Sequence, residues 1–155
     1  MRFVHESVVP ASVEEVFAFH ESAEALARLQ PPWERTRVVQ PPASLAVGTV
    51  VVVETFVGPF RQTIVAEHTA YERDVRFVDE MREGPFTRWR HQHLFFPHER
   101  GCRLRDEIDY TPPLGWLGRL AAPLVIERRL ARMFAFRHQV TRDAVTAHTA
   151  PARGA

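Results

Sequence analysis

The chain of 155 residues contains no lysine, and its 20 basic residues, all arginines, face 19 aspartates and glutamates. Without lysine, covalent catalysis through a Schiff base is excluded. The formal net charge of +1 gives no global argument for binding nucleic acid or an anionic membrane. We therefore expect no nucleic acid among its partners.

Cysteine is almost absent, since Cys102 stands alone. One thiol can form neither an intrachain disulfide nor a thiolate metal cluster. The first ten residues, MRFVHESVVP, have no apolar signal core, and no run of 18 uncharged apolar residues occurs. The seven glycines are scattered, so no phosphate-binding loop is expected. These absences together predict a cytoplasmic protein without a transmembrane segment.

What is present begins with a strand and two short helices. Residues 2–9 alternate as a strand does. Ser12 is a good N-cap, and Glu15 follows it at capping-box spacing, so a helix is expected to about residue 20. A second short helix is predicted over residues 21–29.

The middle of the chain predicts six strands, because β-branched and aromatic runs alternate with Gly-Pro and Pro-Pro pairs. The expected strands cover residues 35–40, 49–57, 60–71, 74–82, 84–96 and 102–110. An apolar stripe then predicts a long helix over 114–148, with a kink or a late start at Pro123, and a disordered tail over 149–155. This order favours an α+β fold, with an antiparallel sheet covered by the last helix.

Four segments of the chain resemble a known superfamily. They are VPASVEEVFAF (9–19), FVDEMREGPFTRWRHQHLFF (77–96), RLRDEIDYTPPLGWLGRL (103–120) and RRLARMFAFR (128–137). The chain is similar to START-like, or SRPBCC, proteins of the helix-grip fold, and in particular to bacterial ligand-binding and polyketide cyclase/dehydrase-like members. The resemblance implies one START-like domain over residues 1–148, in which a curved antiparallel sheet wraps around the long C-terminal helix. It also implies a cavity between sheet and helix that binds a small hydrophobic, aromatic or lipid-like molecule.

Alternation along three neighbouring strands places polar groups on a face that is otherwise apolar. Within residues 75–82 the odd positions are the more apolar set, and Asp79 is one of them. In GPFTRWRHQHLFF (84–96), aromatic and imidazole side chains share one parity. Within residues 103–110 the odd positions are all charged, so the even positions, including Asp106, should face inward. We expect six candidate ligand-binding residues on this inner face: Asp79, Trp89, His91, His93, Asp106 and Tyr110.

The histidines and aspartates of this set admit several interpretations. A buried acid is costly when it is alone, so a structural His–Asp network across the strands is one of them. A second is a polar patch that orients the ligand. A third is a cyclase or dehydratase-like enzyme in which His91 or His93 acts as a general base. His91-x-His93 with two carboxylates also has ligand types that suit a metal, but the resemblance implies none, and no metal or cofactor is expected.

A different class of function rests on the end of the chain. The arginine-rich last helix, or the segment PPLGWLG (112–118), favours an interaction module if Trp116 and Leu117 contact a membrane or a protein partner. A homodimer through an exposed strand edge is compatible with the sequence, although no feature requires it.

Overall fold

The structure is a computed structural model that describes residues 1–57 and 60–149. Its elements are β1 (Arg2–Val9), α1 (Val13–Glu21), α2 (Ala25–Arg28), β2 (Thr36–Gln40), β3 (Val50–Val57), β4 (Phe60–Glu72), β5 (Arg76–Glu83), β6 (Arg88–His98), β7 (Gly101–Thr111) and α3 (Gly115–Thr149). The α+β class and the predicted order of elements are confirmed.

A reciprocal pair of hydrogen bonds starts α1 at the predicted residue. The Ser12 hydroxyl accepts the backbone N–H of Glu15 at 3.2 Å, and the Glu15 carboxylate accepts the backbone N–H of Ser12 at 2.8 Å. Two of the donors that a helix N-terminus leaves unpaired are thereby satisfied.

The seven strands of the described residues form one antiparallel sheet in the order β1-β7-β6-β5-β4-β3-β2. The chain passes from β1 through α1 and α2 to the opposite edge and then returns strand by strand to pair β7 with β1. β6 lies between β5 and β7, with His91 opposite Asp79 on one side and His93 opposite Asp106 on the other. The register therefore aligns carboxylates and imidazoles across three strands.

Helices cover one face of the sheet. α3 packs on β1 and β7, where Phe134 meets Phe3 with ring centroids 5.8 Å apart. α1 packs on β6 and β7, and its Phe17 ring lies 4.9 Å from that of Phe95. Cys102 belongs to the core beneath α1 and has no exposed surface, and burial raises the pKa of its thiol to about 11.

The two halves of α3 differ in burial. Leu130 and Phe134 lie in the core, whereas five large apolar side chains of the first turns face solvent. Those exposed side chains are Trp116 (71% exposed), Leu117 (55%), Leu120 (75%), Leu124 (63%) and Val125 (63%). The helix includes Pro123, so the predicted late start at that residue is wrong. Within the described residues, no helix combines the length and the apolar character that crossing a bilayer requires.

Three boundaries differ from those expected. The second helix is a single turn within the predicted segment 21–29. β6 begins at Arg88 rather than at Gly84, because Gly84 adopts φ +156° and residues 84–87 turn the chain between β5 and β6. The Gly58-Pro59 turn and most of the predicted tail lie outside the described residues, and Thr149 is the last residue of α3.

Candidate functional site

A buried carboxylate, that of Asp106, is the centre of the polar cluster on the inner face. Its Oδ1 accepts a hydrogen bond from Nε2 of His91 at 2.7 Å, and its Oδ2 accepts one from Nε2 of His138 at 2.6 Å. Nδ1 of His93 lies 2.7 Å from Oδ1 as an ion pair, outside hydrogen-bonding angles. With its side chain only 3% exposed, Asp106 is enclosed by three imidazoles.

The second carboxylate, that of Asp79, makes longer contacts. Its Oδ1 lies 3.6 Å from Nδ1 of His91 and 3.4 Å from Nε2 of His93. Its side chain is 19% exposed and that of His93 is 13% exposed, whereas that of His91 is 5% exposed. The Asp79 side of the cluster therefore borders accessible space, and the Asp106 side does not.

Strand register and ring packing hold these groups in place. Because β6 lies between β5 and β7, its two histidines lie between the two aspartates. The His93 ring stacks on Phe77 with centroids 4.0 Å apart, and the His91 ring meets the edge of Phe134 at 5.2 Å. Aromatic packing thus restricts both imidazoles before any ligand is considered.

The two other predicted residues form an aromatic wall beside the cluster. Trp89 and Tyr110 lie opposite each other in the β6–β7 register, and both rings contact Phe86. The Tyr110 hydroxyl donates to Glu127 at 3.3 Å. Burial, together with the Glu127 carboxylate, raises the pKa of Tyr110 to about 12, so the hydroxyl stays protonated. The structure therefore brings four of the six predicted residues into one polar cluster and places two next to it.

Sequence reasoning missed the contribution of α3. His138 donates to Asp106 through Nε2, and its Nδ1 lies 2.7 Å from the Ser7 hydroxyl of β1. The helical spacing of Leu130, Phe134 and His138 places all three on the buried face and is the signal that would have identified the histidine.

Three further histidines surround the cluster. His5 of β1 meets the His138 ring edge-on at 4.5 Å, and the ring of His20 on α1 lies 6.0 Å from that of His93. His68 on β4 lies opposite Asp79, is buried, and has no hydrogen-bond partner for Nδ1 among the described residues. His5 follows Phe3 by two positions on β1, so alternation along the strand places both side chains on the inner face.

The charges of the cluster follow from burial opposed by ion pairing. Burial would lower the pKa of His93, but the Asp106 and Asp79 carboxylates outweigh it and raise that pKa to about 9. Burial and the neighbouring His93 cation lower the pKa of His91, and the same two causes lower that of His20 to about 4. The pKa of both aspartates is lowered, because the imidazoles outweigh the effect of burial. At neutral pH, two carboxylates therefore face a cationic His93 beside neutral His91 and His20.

Two clefts lie away from this cluster. The lining of one, of about 350 Å³, is Val8, Pro10, Arg100 and Arg142. The lining of the other, of about 300 Å³, is Met1, Arg88, Asp109, Tyr110 and Thr111. Neither is lined by Asp79 or His93.

A curved antiparallel sheet packed on a long C-terminal helix, with two short helices after the first strand, defines the helix-grip fold of the START-like, or SRPBCC, superfamily. The chain belongs within it to the family described as polyketide cyclase / dehydrase and lipid transport, whose model matches residues 9–135. The resemblance inferred from the sequence is confirmed.

Solved structures of proteins from several organisms share the fold. TTHA0849 from Thermus thermophilus is 18% identical with a TM-score of 0.75, covering 97% of this chain and 100% of that one. CV1439 from Chromobacterium violaceum is 13% identical with a TM-score of 0.71, covering 93% and 96%. Norcoclaurine synthase from Thalictrum flavum, solved with dopamine and hydroxybenzaldehyde, is 18% identical with a TM-score of 0.70, covering 96% and 87%. No curated protein matches the chain. Likeness at these identities establishes the fold and leaves the activity to be argued from the site.

Proposed function

We propose that the protein binds a small, mostly hydrophobic molecule, aromatic or lipid-like, between the inner face of the sheet and α3. The observation that carries the proposal is the accessible Asp79–His93 pair, which interrupts a wall of aromatic rings. Binding sites for small molecules typically combine an apolar lining with a few polar groups that fix orientation. The proposed ligand-binding residues are Asp79, Trp89, His91, His93, Asp106 and Tyr110.

The six residues have different roles in this proposal. Asp79 and His93 contact the polar end of the ligand, as an acceptor beside a cationic donor. His91 and Asp106 hold that pair in position from behind, through the 2.7 Å hydrogen bond between them. Trp89 and Tyr110 line the apolar part of the site.

Family and fold support the same class of ligand. The family description includes lipid transport. The norcoclaurine synthase structure contains two aromatic molecules, dopamine and hydroxybenzaldehyde. The exposed apolar start of α3 lies near Tyr110, through the short connection from β7, and would shield the apolar end of a ligand.

Native mass spectrometry of the purified protein tests the proposal first, because a co-purified molecule would identify the ligand class. A thermal-shift panel of lipids, quinones and small phenols follows, with chelator present. We expect stabilisation by at least one class, reduced in Asp79→Asn and retained in Asp109→Asn, a matched change on the outer face of β7. A ligand-free mass together with no shift across the panel would count against ligand binding.

An enzymatic alternative uses the same pair, since a His–Asp pair that reaches the ligand can move protons in a cyclisation or dehydration. The two alternatives differ in the fate of the bound molecule. If its mass changes with time in the wild-type protein and not in His93→Gln, the protein is an enzyme. An unchanged ligand supports binding alone.

A second candidate function rests on the exposed start of α3. Trp116, Leu117 and Leu120 present contiguous apolar surface, which favours contact with a membrane or a protein partner. Co-sedimentation with lipid vesicles, compared between the wild type and Leu120→Ser, tests membrane contact. Light scattering of the same two proteins tests a homodimer.

A cytoplasmic location also belongs to the proposal, and fractionation of cells that express the tagged chain tests it.

A further inference from the structure

Asp79, His91 and His93 each offer one potential metal-ligand atom on the inner face, and these atoms lie within 4.8 Å of one another. We propose that these three residues bind a divalent transition-metal cation of the Zn²⁺ or Fe²⁺ type, and that Asp106 orients both imidazoles from behind without touching the ion. The proposal departs from the expectation of a metal-free protein. It does not depend on the hydrophobic ligand proposed above.

The spacing of the three atoms suits a cation. Oδ1 of Asp79 lies 3.6 Å from Nδ1 of His91 and 3.4 Å from Nε2 of His93. One ligand atom from each of the three residues lies within 4.8 Å of the others. Neighbouring ligands in a tetrahedral site with bonds of about 2.0–2.1 Å are roughly 3.4 Å apart. Two of the three separations therefore already approach those of a bound Zn²⁺.

One nitrogen of each imidazole contacts Asp106, which leaves the other nitrogen facing Asp79. Nε2–H of His91 donates to Asp106, so a neutral His91 presents the lone pair of Nδ1 to Asp79. Nδ1 of His93 likewise lies against Asp106, and Nε2 faces Asp79. Facing acceptors repel each other unless a proton or a metal ion lies between them. A bound cation would take the position that a proton on Nε2 of His93 holds in its absence.

Asp106 has the properties of a carboxylate that supports metal-bound imidazoles. Metal-bound histidines usually donate their other N–H to a carboxylate or a carbonyl, which fixes the tautomer and the ring orientation. Asp106 is in turn fixed by His138, which Ser7 contacts at 2.7 Å. This chain from β1 through α3 and β7 to β6 holds the imidazoles without using the atoms that face Asp79.

The site is accessible from solvent, and a buried imidazole nitrogen beside it has no hydrogen-bond partner among the described residues. The exposed surface of Asp79 and His93 provides an entry path and leaves room for a further ligand, as in sites with three protein ligands. Opposite Asp79, the buried Nδ1 of His68 has no hydrogen-bond partner among the described residues. Two imidazoles with one carboxylate suit Zn²⁺ and Fe²⁺ better than Mg²⁺ or Ca²⁺, which prefer all-oxygen ligands.

Calorimetric titration of the chelator-treated full chain with Zn²⁺ tests the proposal. We expect one ion per chain, loss of that binding in Asp79→Asn and in His93→Gln, and retention in His98→Gln, a matched change at the end of β6 away from the cluster. Asp106→Asn should weaken binding by about 10- to 100-fold, as expected for a group that orients the ligands. Circular dichroism of each variant verifies that it is folded.

The wild-type protein alone provides an independent test if a variant fails to fold. X-ray absorption of the Zn²⁺-loaded chain should show nitrogen and oxygen ligands that include two imidazoles. No stoichiometric binding, a sulfur ligand, or equal loss of binding in His98→Gln would overturn the proposal. Magnesium, titrated in the same way, should not bind. The ligand panel is measured with chelator present, so failure of the metal proposal and failure of the ligand proposal are distinguishable.

Discussion

The two carboxylates of the cluster have the same chemistry and opposite surroundings. Asp106 is enclosed, with both oxygens within 2.7 Å of imidazole nitrogens. Asp79 reaches its nearest imidazole nitrogen at 3.4 Å and keeps exposed surface. The same two histidines touch both aspartates. The cluster thus has a closed end, at Asp106, and an open end, at Asp79.

The difference indicates that the two ends of the cluster have different roles. Short hydrogen bonds and ion pairs in a buried site are strong, but they occupy the carboxylate oxygens, which are then not available to a ligand. Long contacts beside accessible space contribute less to the free energy of folding, and the groups that make them can bind something else. We therefore expect the closed end to determine stability and the open end to determine binding.

Removing the closed end should have the largest effect. Asp106→Ala leaves three imidazoles, including the cationic His93, without their shared carboxylate. Breaking a buried ion pair costs about 3–5 kcal/mol, so the free energy of unfolding should fall by that amount in urea denaturation. Asp109→Ala, on the outer face of the same strand, should change it by less than about 0.5 kcal/mol. Equal losses in the two variants would contradict the assignment of a closed end.

The pH dependence of stability should be bell-shaped in the presence of chelator. Folding raises the pKa of His93 from 6.5 to about 9, so its contribution is complete below pH 6.5 and is lost as pH rises through 9. Folding lowers the pKa of His20 from 6.5 to about 4, so its neutral, buried form costs stability as pH falls from 6.5 toward 4. Each limb should span on the order of 3 kcal/mol.

Urea denaturation from pH 4 to pH 9.5 measures both limbs. His93→Gln should flatten the alkaline limb, and His20→Gln should reduce the acid limb, to which His91 also contributes because burial lowers its pKa too. Below that pH, loss of the two carboxylate charges adds a further decrease in every variant that keeps both aspartates. An alkaline limb that persists in His93→Gln would show that another group carries it.

Changing the open end should cost less. Asp79→Asn keeps the shape of the side chain and removes only contacts of 3.4 and 3.6 Å, so the free energy of unfolding should fall by about 1–2 kcal/mol. The effect on ligand or metal binding should be the larger one. A stability loss as great as that of Asp106→Ala would remove the distinction between the two ends.

The exposed start of α3 should respond least. Leu120 is 75% exposed, so Leu120→Ser should change the free energy of unfolding by no more than about 0.5 kcal/mol. Phe134→Ala, further along the same helix and in the core, should cost about 3–5 kcal/mol. Thermal and urea denaturation of the two variants would measure the contrast. A large loss in Leu120→Ser would show that this surface is covered in solution.

Many of the residues at the closed and open ends could be predicted from the sequence, because side chains alternate between the two faces of a strand. The inward positions of Asp79, His91, His93 and Asp106 follow from alternation alone, once the neighbouring strands are known. Alternation does not predict which imidazole each carboxylate oxygen contacts, because that depends on the inter-strand register and on the rotation of the rings. The open character of the Asp79 end also depends on where α3 lies, which no local pattern specifies.

His138 escaped prediction for a different reason. About seven positions over four turns of a helix lie on its buried face. From the sequence pattern, a polar residue on that face is hard to distinguish from one at the edge of the face. Arg137 and His138 are neighbours in sequence, yet His138 donates to the central carboxylate while Arg137 donates to the backbone carbonyl of Leu29. Helical spacing with Leu130 and Phe134 favours the buried face for His138, but its contact with Asp106 depends on how α3 is rotated against β1 and β7.

Cys102 has a practical consequence for measuring these contacts in solution. Its thiol is fully buried, and its pKa of about 11 leaves almost no thiolate at neutral pH. The native protein should therefore be inert to maleimides, and with no lysine its amine chemistry is confined to the chain terminus. A cysteine introduced at Trp116 would become a unique attachment point for a fluorophore or spin label. The environment and mobility of the start of α3 can then be followed in a protein that keeps its native core.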